Sequence, residues 1–240
     1  MCLLLIKTII TEEVRILTSA KKILIFILFL LFSIAITIAV LTIDVAAIGP
    51  NGSEVGLSTI NNRFRDLFSF DAGLGYSKFW YNITQLIGYF CLLVCVFWGC
   101  IGLYQLIKEK NIKKVDKSLI VTGVLYVLTI IMYFVFEKCI VNYRPVIMEG
   151  ETEVEASFPS SHTMLVIVVM GSTFFLVKYF LKEKENMKNV ILLVRILCVA
   201  ITLVMVVGRL ICGIHWFSDI ISGILISATL LSLYSFFADV

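Results

Sequence analysis

The chain contains two histidines, and each lies in a short polar segment within apolar sequence. His162 closes Phe158-Pro159-Ser160-Ser161-His162, and His215 stands six residues after Arg209 and four before Asp219. A third basic segment upstream holds Lys138, Arg144 and Pro145. His215 and Asp219, at i and i+4, share one helix face. A carboxylate so placed accepts a hydrogen bond from one ring nitrogen, fixes the tautomer and leaves the other nitrogen to attack. The ordinary alternative is a histidine packed near a helix start and capped by an aspartate. Arg209 closes an apolar run, where an arginine either snorkels or meets an anion whose oxygens match its planar fork. Ser157, Ser160 and Ser161 surround an expected helix start, with Pro159 suited to its first position. The exposed N–H groups and the dipole of such an end favour an anion. A plain serine cap explains the serines but not a histidine just inside the helix. Arg144 and Lys138 share the snorkelling alternative. Taken as a set, these residues form a cationic, hydrogen-bonding pocket with two imidazoles and no evident metal-ligand set. That chemistry suits phosphoryl transfer through a phosphohistidine.

The elements that must hold these residues are membrane spans. The 240 residues are 60% hydrophobic and 15% charged, well outside the usual soluble balance of about 45–50% apolar and about 25% charged. Six runs approach the ~20 apolar residues that a spanning helix needs: 22–43, 86–107, 119–136, 160–181, 190–210 and 220–237. The fold class expected is an all-α integral membrane bundle of six helices. Lysines at 21 and 22, at 108, 110, 113, 114 and 117, and at 182, 184 and 188 all fall on one side of this plan. The positive-inside rule makes that side, with both termini, cytoplasmic. All three motifs then fall on the outer face. The net charge of +3 is too small, and the basic residues too scattered among loops, for nucleic-acid binding.

Residues 1–21 read as an N-terminal cytoplasmic or interfacial segment, and 22–240 as the six-span domain. Lys21-Lys22 and the long apolar run after them resemble a retained signal anchor. The outer segment 44–85 carries turn chemistry at Gly49-Pro50-Asn51-Gly52, then Phe64, Leu67, Phe68, Phe70, Phe79, Trp80 and Tyr81. An interfacial aromatic belt is the preferred reading of these aromatics, and an entrance for a lipid tail is compatible with it. Glu149, Glu151, Glu153 and Glu155 read as solvated carboxylates, not as a metal site. The seven cysteines read as small hydrophobes, with Cys139 and Cys212 near enough to the motifs to be reached by thiol reagents.

These segments resemble the type 2 phosphatidic acid phosphatase superfamily of membrane lipid phosphatases. The family pattern is Lys-x6-Arg-Pro, then Pro-Ser-Gly-His, then Ser-Arg-x5-His-x3-Asp. Here the order reads Lys138-x5-Arg144-Pro145, Pro159-Ser160-Ser161-His162 and Gly208-Arg209-x5-His215-x3-Asp219. The departures are specific. Lys138 is one residue too close to Arg144, a turn of about 100° on a helix, and Glu137 holds the family's lysine position. Ser161 replaces a glycine and Gly208 a serine. The resemblance implies His215 as nucleophile and Asp219 as its orienting group. It implies His162 as the acid for the leaving oxygen and then the base for water. Arg144, Arg209, Ser160, Ser161 and Lys138 are implied as phosphate-binding, with no metal and no cofactor.

The function expected is a multi-pass plasma-membrane phosphatase acting on a lipid phosphate or diphosphate, with undecaprenyl diphosphate preferred. Phosphatidic acid, phosphatidylglycerol phosphate and diacylglycerol diphosphate are the alternative substrates. A catalytically impaired lipid-phosphate binder and a phosphotransferase are the alternative activities.

Overall fold

A computed structural model describes residues 2–68, 70, 73–184 and 186–238, with side chains described from residue 19 onward. Among the described residues, seven α-helices follow one another: α1 (Cys2–Thr42), α2 (Ser58–Arg65), α3 (Lys78–Glu109), α4 (Lys117–Lys138), α5 (Ser161–Leu181), α6 (Lys188–Cys212) and α7 (Phe217–Phe237). Six are long and apolar enough to cross a membrane, the first through Ser19–Thr42 and the others over their whole length. The second span starts eight residues before the expected 86. The apolar signal is diluted there by Asn82, Thr84 and Gln85, although the helix is already formed. Phe79, Trp80 and Tyr81 therefore belong to the first turn of α3. Helix α1 continues without interruption through the boundary between residues 21 and 22.

Helices α5 and α7 form the buried centre. α5 packs on α3, α4, α6 and α7, while α1 lies outermost against α7. Bilayer-facing side chains gain little from leaving lipid, so close packing and interhelical hydrogen bonds hold such bundles together. Ser33 Oγ and Thr229 Oγ1 lie 3.0 Å apart across α1 and α7. Tyr126 Oη and Ser172 Oγ are 3.0 Å apart across α4 and α5. Trp98 Nε1 donates to Thr173 Oγ1 at 3.0 Å, joining α3 to α5. At the lysine-rich end, the Gln105 amide brackets Asp116, its Oε1 accepting from the Asp116 N–H at 2.9 Å, which closes the short turn between α3 and α4.

The segments 43–77, 139–160 and 213–216 share the opposite end. Arg65 of α2 joins the first of these to the third, donating to Gly213 O and Gly75 O at 2.7 Å each. Burial holds this guanidinium below its ordinary pKa. Phe64 stacks on Phe217 with ring centroids 3.9 Å apart, and Phe70 lies under the Arg65 guanidinium at 4.6 Å. Phe64 and Phe70 thus cover the turn before α7, where the belt reading had placed them at the lipid surface. The reason is a close seat: a Cβ on Gly213, which has φ +85°, would lie 2.3 Å from the Phe70 ring. The cysteine expectation also changes. Cys139 is exposed, but Cys212 is fully buried at the end of α6, where the chain turns back under Ser77.

Candidate active site

His215 lies in the turn between α6 and α7, and Asp219 in the first turn of α7. The Asp219 carboxylate closes this helix start by accepting from the Trp216 N–H at 3.0 Å. His215 Nδ1 stands 3.7 Å from Asp219 Oδ2. That exceeds a hydrogen bond, and Nδ1 has no other partner among the described residues. Catalytic contacts are often long before substrate arrives. His215 is 6% exposed and Asp219 is fully buried. Burial pushes the imidazole well below its ordinary pKa, with Arg144 and Arg209 adding repulsion. His215 is therefore neutral at neutral pH, the form in which a ring nitrogen can attack.

His162 occupies the first turn of α5. It lines both of two adjoining cavities, of about 280 and 190 Å³, as does Arg144. Arg209 opens onto the larger, and His215 and Ser161 onto the smaller. Arg209 is 1% exposed, with Nη2 donating to Gln85 Oε1 at 3.2 Å. Its Nε and Nη1 have no partner among the described residues. Arg144 Nε lies 2.8 Å from Glu155 Oε2, and its backbone N–H donates to Glu155 O at 2.9 Å. Two of the four loop glutamates are thus paired rather than simply solvated, Glu155 with Arg144 and Glu149 with Lys78 at 2.8 Å. Among the described residues, no three His, Cys, Asp or Glu side chains gather as metal ligands. Two larger cavities, of about 370 and 490 Å³, lie among the spans with almost wholly apolar walls and none of these groups.

Five of the eight expected residues, His215, His162, Arg144, Arg209 and Ser161, therefore line the two cavities, and Asp219 stands directly behind His215. The other two stand apart. Lys138 is exposed at the end of α4 and lines neither cavity, while its neighbour Glu137 lines the smaller one. Ser160 is fully buried and also lines neither. Its Oγ accepts from Thr163 Oγ1 at 3.0 Å, and its N–H donates to Asp219 O at 3.0 Å. Ser160 is the residue before α5, so Pro159 precedes the helix and does not occupy its first position. Gly208 in place of a serine has a packing cause: a Cβ there would lie 2.8 Å from Thr84 Cγ2.

Sequence reasoning missed two positioning side chains. Asn142, 1% exposed, places Nδ2 at 3.4 Å from both Ser218 Oγ and Asp219 Oδ1, and its Oδ1 accepts from the Gly56 N–H at 3.1 Å. Asn61, also 1% exposed, accepts from the Ser218 N–H at 3.0 Å and donates to Ser218 Oγ at 2.9 Å. These amides tie segment 43–77 to the start of α7. No local signal marks an asparagine in a polar loop. Gln85, by contrast, is a polar residue beside a long apolar run, and such residues are usually functional.

A sequence comparison with curated proteins gives no match. Among solved structures, the fold resembles the first transmembrane PAP2 type phosphatidylglycerolphosphate phosphatase from Bacillus subtilis, with a TM-score of 0.56 at 17% identity, covering 90% of this chain and 94% of that one. At that identity the likeness concerns the fold. The family model of the PAP2 superfamily matches residues 117–239, more than half of the chain, and takes in all of the polar segments from Lys138 to Asp219. By that match, on a bundle of the same architecture, this chain belongs to the PAP2 superfamily.

Proposed function

We propose that this protein is a membrane lipid phosphatase that works through a phosphohistidine at His215 and needs no metal. His215 attacks phosphorus through Nε2, the ring nitrogen remote from Asp219. An N–P bond forms as the bond to the lipid oxygen breaks. Protonated His162 delivers its proton to that oxygen, and then takes one from water as water attacks phosphorus. The N–P bond breaks, inorganic phosphate leaves and His215 is again neutral. Arg144, Arg209 and the Ser161 N–H bind the phosphoryl oxygens, where charge builds in the transition state. Asp219 stabilises the imidazolium form of His215 during transfer. The observation that carries this reading is the convergence of two imidazoles and two arginines on one pair of adjoining polar cavities.

The substrate we favour is undecaprenyl diphosphate at the outer face of the plasma membrane, with both termini inside. The lysine distribution supports that orientation. A second reading, phosphatidylglycerol phosphate, is favoured by the likeness of the fold to a phosphatidylglycerolphosphate phosphatase. The test is phosphate release by purified protein in detergent with chelator, from undecaprenyl diphosphate, phosphatidylglycerol phosphate and phosphatidic acid in parallel. The expected result is release that His215→Ala abolishes, fastest from the diphosphate. Release from the monophosphates alone selects the second reading. Release undiminished in His215→Ala removes the nucleophile, and no release by the native protein leaves a lipid-phosphate binder.

A further inference from the structure

Helix α3 precedes the family match, yet one of its faces touches both the buried arginine and the second histidine. Tyr81, Gln85 and Gly88 recur at helical spacing and so share that face. Gln85 bridges two partners. Its Oε1 accepts from Arg209 Nη2 at 3.2 Å, and its Nε2 donates to Tyr81 Oη at 3.0 Å. The Tyr81 ring lies 5.7 Å from the guanidinium carbon. Gln85 is the only hydrogen-bond partner of the Arg209 side chain among the described residues, and Nε and Nη1 are left for acceptors that a ligand brings. One turn further, Gly88 faces His162. A Cβ added there would lie 3.1 Å from His162 Cδ2 and 3.2 Å from Nε2. The imidazole therefore rests against bare backbone, closer than a side chain would normally permit.

We propose that α3 positions the two halves of the site, Gln85 orienting Arg209 toward the phosphate and Gly88 forming the seat of His162. Both are positioning residues, and the assignment rests on the phosphatase reading above. The amide suits this task because it accepts from the arginine without neutralising it. A carboxylate in its place would pair with Arg209 and compete with the phosphate. Because the two contacts serve different groups, they are separable. Gln85 acts on phosphate affinity, and Gly88 acts on proton transfer.

The test compares Gln85→Met, Gln85→Glu, Gly88→Ala and His215→Ala with the native protein in detergent. Turnover is followed with the best lipid substrate. Phosphate affinity is read from competitive inhibition by inorganic phosphate and from the phosphate concentration that half-maximally raises Tm. Gln85→Met keeps the length of the side chain and loses the acceptor. It is expected to weaken phosphate affinity about 10- to 100-fold, the scale of a hydrogen bond to a charged group, and to lower kcat/KM in parallel. Gln85→Glu is expected to weaken phosphate affinity at least as far, and it stands in should the methionine variant not fold. Gly88→Ala is expected to lower kcat about tenfold or more, the scale of a displaced general acid, with phosphate affinity within about twofold. A merely structural role for α3 would shift Tm in all variants and leave phosphate affinity unchanged. Folded Gln85 variants with native phosphate affinity overturn the proposal, as does a Gly88→Ala loss seen only in phosphate affinity. Turnover surviving in His215→Ala would overturn the phosphatase mechanism instead, and the phosphate-dependent Tm would still report on Gln85.

Discussion

Arg209→Met should raise stability while removing activity. The guanidinium is 1% exposed and, among the described residues, pairs with no carboxylate and has two nitrogens without hydrogen-bond partners. An unsatisfied buried polar group costs about 1–3 kcal/mol, and more if charged. Methionine fills similar space with no polar atom, so relief of about 2–3 kcal/mol is expected after allowing for the lost bond to Gln85. For a chain of this size that is an upward Tm shift on the order of 5 °C. The catalytic cost runs the other way. Two charge-assisted bonds to phosphoryl oxygens at about 1.5–3 kcal/mol each come to about 3–6 kcal/mol, or a loss of about 10²- to 10⁴-fold in kcat/KM. The assays are thermal melting in detergent without phosphate, and initial rates of phosphate release. A melt lowered by the substitution, or kcat/KM retained within tenfold, would refute the view of Arg209 as a cation held ready for an anion.

The remaining predictions concern His215, Asn142 and metals. Because burial holds the folded pKa of His215 below its ordinary value, the unfolded chain takes up a proton near pH 6.5 that the folded protein refuses. The native protein should therefore lose more stability than His215→Gln between pH 7.5 and 5, and equal losses in paired melts would contradict a buried neutral imidazole. Asn142→Leu removes a donor 3.4 Å from Asp219 Oδ1 and a partner of the Gly56 N–H. It is expected to lower kcat about tenfold and to destabilise by about 1–3 kcal/mol, and native kcat in a folded variant would show that Asp219 needs no such support. Chelator should leave turnover unchanged, and loss restored by magnesium would redirect attention to the glutamates of segment 139–160.

The spans and the site were legible in the sequence to different depths. Six apolar runs and their lysine-rich connections are local signals, read within about 20 residues at a time. The fold class and the order of the spans follow from them without knowledge of packing. The order of the motifs named the family for the same reason, since each motif is contiguous. What the sequence by itself did not decide was which way each side chain turns. Ser160 and Ser161 are neighbours, yet one hydroxyl is buried against Thr163 while the other residue lines the cavity. Lys138 and Glu137 are neighbours too, and the helix end presents Glu137 to that cavity. Such differences depend on the rotation of a helix at its last turn, which is set by packing of the whole bundle. Gln85 reaches Arg209 across 124 residues of chain, and Asn142 reaches Asp219 across 77. Those contacts have no sequence period, because they join elements whose proximity exists only once α3, α6 and α7 have packed. The sequence thus determined that a cationic, two-histidine site would stand at one end of six spans. The tertiary structure decided which polar groups line the cavities and which amides hold them there, because a hydrogen bond is fixed by distance and direction in space.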